Sequence, residues 1–488
     1  MTTATLMRSE ASQITPAARP PMSRAKRQWL LLGLVLAYGV ALAVRLRNTA
    51  FIDEALYINA GNAYLDYWSE GRPLGDAGAF FSGLPALYPV LAALLDSVGG
   101  LYLVRAFSLL CVLGTAMALY GTARHLWGKR AGLLAAATFM LSGPVIFTGW
   151  LGTFDAPVIF LLASGLWIGL TRKGYPSAVL LGAVLALAAM TKYTAGIFVP
   201  VVLAATLVLG VLGARRALVA AGVALGILAT LWAVWGESIA RDVAFTTTDR
   251  TALSPTTTGA LLGLAGDHLI VVLLLAAVSL VLMFRAGDRR LSILGSGLVL
   301  ASMALPIGQM ILGEAVSFEK HLAYSVMLLA LPVGWGLARI SRYPLMVTPV
   351  VITVMIMALF PLVRADAMYR WTNVQSVVTA IESDPREGLY ISSSTDALDY
   401  HTSDLPGVAW ETTFELYFEG EGSIRSAVDD ERYQAVILRS STLGNPEQDA
   451  AQAVLLDALE ESSAYSLAFE PFPASPAPGD NWLIYTRG

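Results

Sequence analysis

Phe51-Ile52-Asp53-Glu54-Ala55-Leu56-Tyr57 sets two adjacent carboxylates just past an apolar run, 29–44, at the head of an aromatic-rich segment. A carboxylate pair immediately outside a membrane span can serve as a base or a ligand at the membrane surface. What the pair does depends on the rest of the chain. Apolar residues make up 56% of the 488 and charged residues 14%, with a mean hydropathy of +0.62. That balance excludes a soluble globular domain of this length and defines an α-helical polytopic membrane protein. The charges are segregated along the chain, and a net charge of −4 offers no basic surface for nucleic acid. The single cysteine, Cys111, lies in an apolar stretch, which excludes an intrachain disulfide or a cysteine-held metal and points to a packing role.

Run length against a bilayer core of about 30 Å gives about eleven transmembrane helices: 29–44, 101–123, 131–147, 155–171, 177–191, 195–213, 217–235, 268–284, 291–313, 322–338 and 345–363. Arg24, Lys26 and Arg27 precede the first. Arg124/Lys129/Arg130, Arg172/Lys173, Arg215/Arg216, Arg285/Arg289/Arg290 and Arg339/Arg342 fill every second connection, which assigns those connections to the cytoplasm. The opposite connections carry Asp53, Glu54, Asp66, Glu70, Asp76, Asp155, Glu237, Asp242, Asp249, Asp267, Glu314 and Glu319. The expected layout is a cytoplasmic tail 1–28, a transmembrane domain 29–363 with external loops 45–100 and 236–267, and an extracytoplasmic α/β domain 364–488. The expected location is the plasma (inner) membrane, multi-pass, with the amino terminus cytoplasmic. Ala41-Leu42-Ala43 mimics a signal-peptidase site, but the flanking inward charges suit an uncleaved anchor.

The long external loops are where a site can be built. Within the first, 53–68 reads as an amphipathic helix and 84–98, with Pro85 and Pro89, as an interfacial or re-entrant segment. Spans three and five are short, which would recess their outer ends and admit a lipid-borne substrate. In the last region, strands are expected at 389–393, 435–438 and 482–485 and a helix at 448–461.

Consecutive helical residues point about 100° apart, so Asp53 and Glu54 divide roles. Asp53 shares a face with Tyr57, Ala60 and Tyr64, as for a carboxylate facing an aromatic-walled cleft. The structural alternative makes Asp53 an N-cap and Glu54 a favourable first-turn charge. Asp155 stands where an external turn enters span four, with Pro157 in the first turn, and reads as an N-cap that can also face the cleft. Lys192 ends span five on the side where lysine is disfavoured, so it either grips an anionic group such as phosphate or snorkels to headgroups. Lys320 and His321 repeat that pattern at span ten, where a Glu319–Lys320 surface pair is the default. Arg105, near the outer end of span two, faces phosphate or an acid. His268 and His321 lack a metal-ligand spacing; a divalent metal at Asp53/Glu54 stays open. The Thr-rich stretch 246–258, with Arg250 and Pro255, is read as a loop over the cleft.

Three motifs in order, Phe51-Ile52-Asp53-Glu54-Ala55, Leu151-Gly152-Thr153-Phe154-Asp155-Ala156 and Met190-Thr191-Lys192-Tyr193, resemble the polyprenyl-phosphate-sugar-dependent glycosyltransferases of the GT-C fold class. Protein O-mannosyltransferases and bacterial aminoarabinose transferases belong to that class. The resemblance covers roughly the first 215 residues. It implies inverting transfer from a polyprenyl-phosphate-linked sugar to an acceptor glycan, lipid or protein hydroxyl at the outer face, with no cofactor required. Asp53 would be the base, Glu54 an assistant, Asp155 a member of the same cleft and Lys192 the stabiliser of departing phosphate, with Lys320 and His321 as further phosphate contacts. Where the family often has Gly-Pro after its lysine, this chain has Tyr193-Thr194. A lipid-linked sugar flippase or secondary transporter is the alternative. Carriers, however, usually place their site at the midplane between repeated halves, and no halves repeat here. A third reading makes the last domain a glycan-binding module through the aromatic stretch 410–418.

Overall fold

The computed structural model describes residues 24–74, 81–210, 213–246, 256–315, 317–368, 370–443, 446–469, 471–474 and 479–488. Asp76, Asp249, Arg250, Pro255, most of the Thr-rich stretch and the first 23 residues of the tail lie outside them.

The membrane part consists of α1 (Arg24–Ala43), α2 (Ile52–Glu70), α3 (Tyr88–Trp127), α4 (Lys129–Met140), α5 (Gly143–Trp150), α6 (Asp155–Thr171) and α7 (Tyr175–Thr191). A 3-10 turn, Tyr193–Phe198, leads into α8 (Val199–Leu209), α9 (Ala214–Ala244), α10 (Thr258–Arg285), α11 (Arg289–Ser302), α12 (Ala304–Leu312), α13 (Phe318–Ile340) and α14 (Pro344–Met368). Among the described residues, seven helices are long and apolar enough to cross a membrane, or eight if α4 and α5, bent by 68°, form one broken span. The remaining three of the eleven expected segments are shorter apolar helices, Asp155–Thr171, Tyr175–Thr191 and Tyr193–Leu209. The expected segment 84–98 is the first arm of α3. It joins the second span through a break at Gly99 and Gly100, where Gly100 adopts φ +63°, a conformation open to glycine.

At the centre stands α13, whose apolar window is 94% buried, against 17% for α9 and α14, so α13 is the axis and the others face lipid. Close approach is possible because small residues line its contacts. A Cβ on Gly334 would fall 2.6 Å from the Ala135 backbone nitrogen, and one on Gly336 would fall 2.0 Å from Ser279 Oγ. Gly334→Val is therefore expected to push α13 off α4, lowering thermal stability by about 1–3 kcal/mol or more. Gly33→Ala on α1, which meets nothing within 4 Å, leaves it unchanged. Thermal unfolding in detergent compares the two.

The C-terminal region contains α15 (Gln375–Ser383), β1 (Gly388–Ser392), α16 (Thr395–Thr402), β2 (Val408–Thr412), α17 (Thr413–Glu419), α18 (Glu421–Asp429) and β3 (Ala435–Arg439). It ends with α19 (Pro446–Glu461), β4 (Tyr465–Leu467), β5 (Phe472–Pro473) and β6 (Asn481–Arg487). The sheet order is β2-β1-β3-β6-β4, with β1, β2 and β3 parallel, β6 antiparallel to its neighbours, and β5 added to β6. Alternation along the strands builds a core on each face: Tyr390, Ile437 and Trp482 with α15, and Ile391, Val436 and Leu438 with α18 and α19. Trp410 in β2 donates to Thr402 Oγ1 and lies 5.2 Å from the Tyr390 ring, which makes it part of this framework.

This sheet region is fastened to α2 and the segments that flank it. Asn59 Nδ2 on α2 donates to Asp399 Oδ2 at 2.9 Å and to the Asp396 carbonyl at 3.2 Å. The Ala50 N–H donates to His401 Nε2 at 3.0 Å, Tyr400 donates to Asp96 at 2.7 Å, and Trp371 Nε1 donates to the Thr49 carbonyl at 3.1 Å. As an acceptor, His401 is neutral; burial first and then the Arg105 charge pull it below the usual histidine range. Burial, then Asp399 and Asp53, push Asp396 up to about 6. A carboxyl whose folded pKa exceeds its unfolded value opposes folding increasingly as pH rises from about 4 through 6, and by a constant amount above. Asp396→Asn is accordingly expected to raise the melting temperature at pH 8 and leave it unchanged near pH 4, as read by calorimetry at both.

Candidate active site

The first turn of α2 separates the two acids. Phe51 occupies the N-cap position, so Asp53 is not the cap, and Glu54 sits at the third helical position, where its Oε2 accepts the Phe51 N–H at 2.8 Å. Arg105 from α3 completes a fork on Glu54, with Nε to Oε1 at 2.9 Å and Nη2 to Oε2 at 2.6 Å. The Gly152 N–H adds a bond to Oε1 at 2.6 Å. Glu54 is wholly buried and its oxygens are engaged by four donors. The sequence offers Glu54 as a catalytic assistant and Arg105 as a contact for phosphate or for an acid; the geometry takes the second course and joins the two, because a bidentate guanidinium satisfies a buried carboxylate better than any single donor. Arg105 also donates to the Asn48 and Thr49 carbonyls, each at 3.1 Å, so it clasps the loop that leads to Asp53.

Asp53 points elsewhere. Its Oδ2 accepts from Lys320 Nζ at the start of α13, and its side chain keeps 22% exposure, whereas those of Glu54, Asp155 and Lys320 keep 0%, 0% and 3%. Asp53 is thus the partly exposed carboxylate of the cluster. Lys320 also lies 3.9 Å from Asp155 Oδ2 and 5.7 Å from the Phe51 ring centre. The expected Glu319–Lys320 surface pair is replaced: Glu319 binds His268 at 3.1 Å, and Lys320 turns inward.

Asp155 opens α6 one residue after its N-cap, Phe154, so it is not the cap either. Its Oδ1 accepts from Lys192 Nζ at 2.6 Å and from the Tyr324 hydroxyl at 3.0 Å, and Thr153 reaches Oδ2 at 3.4 Å. Lys192 ends α7 in extended backbone and does not snorkel: it is buried, with Nζ 4.7 Å from the Phe154 ring centre. Its ammonium lies 2.8 Å from His321 Nε2, and His321 Nδ1 lies 2.7 Å from Gln309 Oε1. An ammonium has only protons to give, so Nε2 accepts and the neutral ring donates through Nδ1 to Gln309. One linked polar path therefore runs Asp53–Lys320–Asp155–Lys192–His321–Gln309. With His321 neutral, it carries two carboxylates and two ammonium groups and is balanced in charge.

Lys192 is held from the first loop as well. The Tyr193 N–H donates to the Ser82 carbonyl at 2.5 Å, the Leu84 N–H donates to the Met190 carbonyl at 2.9 Å, and a Cβ on Gly83 would come within 2.1 Å of the Thr191 carbonyl oxygen. Only glycine lets the loop lie this close.

Tyr57 and Tyr64 do not wall Asp53. Tyr57 is buried among Phe81, Tyr88 and Phe154 as an aromatic core. Tyr64 is about three turns farther along α2, half-buried against Trp68. Sequence reading missed Tyr324 and Gln309. Tyr324 carried a signal, standing three residues after His321 and four after Lys320 on one helix face, whereas Gln309 had none. Asp53 pairs with Lys320 and Glu54 with Arg105, and no cluster of three or more metal-ligating side chains occurs among the described residues.

The fold is similar to that of solved GT-C structures. Residues 85–235 match the family described as dolichyl-phosphate-mannose-protein mannosyltransferase. ArnT from Cupriavidus metallidurans in the apo state superimposes with a TM-score of 0.60 at 13% identity, over 94% of this chain and 98% of that one. A structure of the same protein bound to undecaprenyl phosphate gives 0.60 at 12%, over 95% and 98%. The arabinofuranosyltransferase AftD from Mycobacteria gives 0.57 at 13%, and this chain spans 40% of its length while 95% of this chain is covered. The oligosaccharyltransferase AglB from Archaeoglobus fulgidus, with an inhibitory peptide and a dolichol-phosphate, gives 0.57 at 13%, over 94% and 74%. No curated protein sequence matches the chain.

Proposed function

We propose that this protein is a membrane glycosyltransferase that moves a sugar from a polyprenyl-phosphate donor to an acceptor hydroxyl at the extracytoplasmic face, with inversion and with Asp53 as general base. The observation that carries the reading is the Asp53–Lys320–Asp155–Lys192 chain, in which three successive ion pairs link the partly exposed acid to buried Lys192. Asp53 takes the proton of the acceptor hydroxyl. The freed oxygen pair attacks the anomeric carbon, and the bond from that carbon to the phosphate oxygen breaks with its electrons leaving on the phosphate. Lys320 and Lys192 offset the charge that develops on the departing group, an electrostatic task that fixed ammonium groups perform without reorganisation. Asp155 and neutral His321 hold Lys192 in place, and the Glu54–Arg105 pair orients the loop bearing Asp53, so these act as positioning residues.

The test is purified protein reconstituted in liposomes with synthetic polyprenyl-phosphate sugars and candidate acceptors. Formation of a glycosidic bond with release of polyprenyl phosphate supports the reading. Movement of the intact sugar-lipid between leaflets without bond formation supports the flippase alternative instead.

A further inference from the structure

The three residues ahead of Phe51 are each held from the C-terminal region. Asn48 Nδ2 donates to the Trp371 carbonyl at 3.0 Å, and the Val374 N–H donates to Thr49 Oγ1 at 3.2 Å. The peptide group between Thr49 and Ala50 is gripped at both edges. Its carbonyl accepts from Trp371 Nε1 and from Arg105, each at 3.1 Å, and its N–H donates to His401 Nε2 at 3.0 Å. Thr49 and Ala50 are buried, so water is not at hand to replace a lost partner. The Trp371 ring also stands edge-on to Phe51, with centres 5.4 Å apart at 77°. Farther along, Asn59 is tied to Asp399 and to the Asp396 carbonyl, so α2 is held at its start and again about two turns on.

The holders are themselves fixed to the sheet. The Asn373 N–H donates to the Ala474 carbonyl at 3.0 Å, and Trp482 Nε1 on β6 donates to the Asn373 carbonyl at 3.1 Å, which seats the segment bearing Trp371 and Val374. His401 lies in the last turn of α16, whose Ala397 and Leu398 belong to the core shared with Tyr390 of β1. We propose that His401 and Trp371 are positioning residues for Asp53, through which the C-terminal region sets the first turn of α2 against Lys320. Because a peptide group is planar, bonds to both its carbonyl and its N–H fix its rotation, and that rotation sets where Phe51 enters the helix. Arg105 supplies the carbonyl bond from α3, but the N–H bond comes from α16. A misplacement of about 1 Å at a reacting group can cost about 10²-fold in rate, so a clamp outside the bundle can govern turnover without touching substrate.

The inference rests on the glycosyltransferase reading. Amide hydrogen exchange and steady-state turnover on polyprenyl-phosphate sugars are measured together on the full-length protein, in variants that still unfold cooperatively. His401→Leu removes the acceptor and is expected to speed exchange at the Ala50 amide about tenfold or more and to lower kcat about 10- to 100-fold, with KM for the donor within about twofold. His401→Gln supplies an acceptor again and is expected to recover most of both losses, which a purely steric role of the ring would not allow. Trp371→Phe keeps a ring against Phe51 but loses Nε1; it is expected to lower kcat about 3- to 10-fold, and it carries the test if His401→Leu does not fold. Arg425→Ala breaks exposed ion pairs to Glu421 and Glu461 on the opposite face of the sheet and is expected to leave exchange and turnover unchanged. Wild-type turnover in both His401→Leu and Trp371→Phe, or slow exchange at Ala50 in His401→Leu, overturns the clamp alone. So does an equal loss in His401→Gln and His401→Leu, or a comparable loss in Arg425→Ala. A wild type that forms no glycosidic bond overturns the glycosyltransferase reading and the positioning role with it.

Discussion

Asp53→Asn is expected to lower turnover on polyprenyl-phosphate sugars by about 10²–10⁴-fold, the contribution of a positioned general base, while changing the apparent affinity for donor little. Asparagine keeps the size of the side chain and an oxygen for Lys320, so the cluster's geometry survives while its proton acceptor is lost. The exposure of the Asp53 side chain, 22% against 0% for Asp155, makes this acid the one an acceptor can approach. Asp155→Asn should behave differently, because its loss frees Lys192 rather than removing a base: its effect should grow with the charge on the leaving group. Initial rates at saturating donor, measured across pH, separate the two. Wild-type rates in Asp53→Asn would remove the assignment of the base.

Much of the fold was legible because hydrophobic run length is a strong signal in a bilayer. Every expected span corresponds to a helix or a helix pair. What run length could not reveal was the joint: the helical arm within 84–98 meets the 101–123 helix directly, through non-helical Gly99 and Gly100, with no loop between them. In the C-terminal region the buried strands β1, β3 and β6 were visible as apolar runs, whereas β2, β4 and β5 were not. β2 is only partly buried, β5 has two residues and β4 three, so none carries a recognisable alternation.

The site was legible residue by residue, but not as a network. Asp53, Asp155, Lys192, Lys320 and His321 stood out because charge is rare at span ends, and the structure gathers them. Their pairing was hidden, since it joins positions up to 267 residues apart. Local rules favoured caps for Asp53 and Asp155 and a neighbour pair for Lys320, and tertiary contacts displaced all three. Tyr57 misled for a related reason: a shared helical face with Asp53 says nothing about which neighbours cover that face, and Phe81, Tyr88 and Phe154 cover it.

The Glu54–Arg105 pair shows how strongly stability and the site are tied. Removing the arginine would strand a wholly buried carboxylate with two backbone N–H groups as its remaining donors, and breaking a buried pair on one side typically costs about 3–5 kcal/mol. Against a total stability of roughly 5–15 kcal/mol, Arg105→Ala is expected to depress the melting temperature in detergent sharply. Arg105→Lys should rescue little, because one ammonium cannot reproduce a fork that also binds the Asn48 and Thr49 carbonyls. Replacing both partners by apolar residues, Glu54→Leu with Arg105→Leu, should recover much of the stability, since no charge remains buried. Turnover should not recover with it: the Asn48 and Thr49 carbonyls lose the guanidinium that ties them to α3, the latter keeping Trp371 Nε1, the 48–51 loop loosens, and Asp53 at the start of α2 loses its fixed distance to Lys320. Simple additivity of Arg105→Ala and Glu54→Gln in a double-mutant cycle would show that the two do not act as a unit. Full activity in the stable double-leucine variant would show that the pair supports the fold without positioning the base.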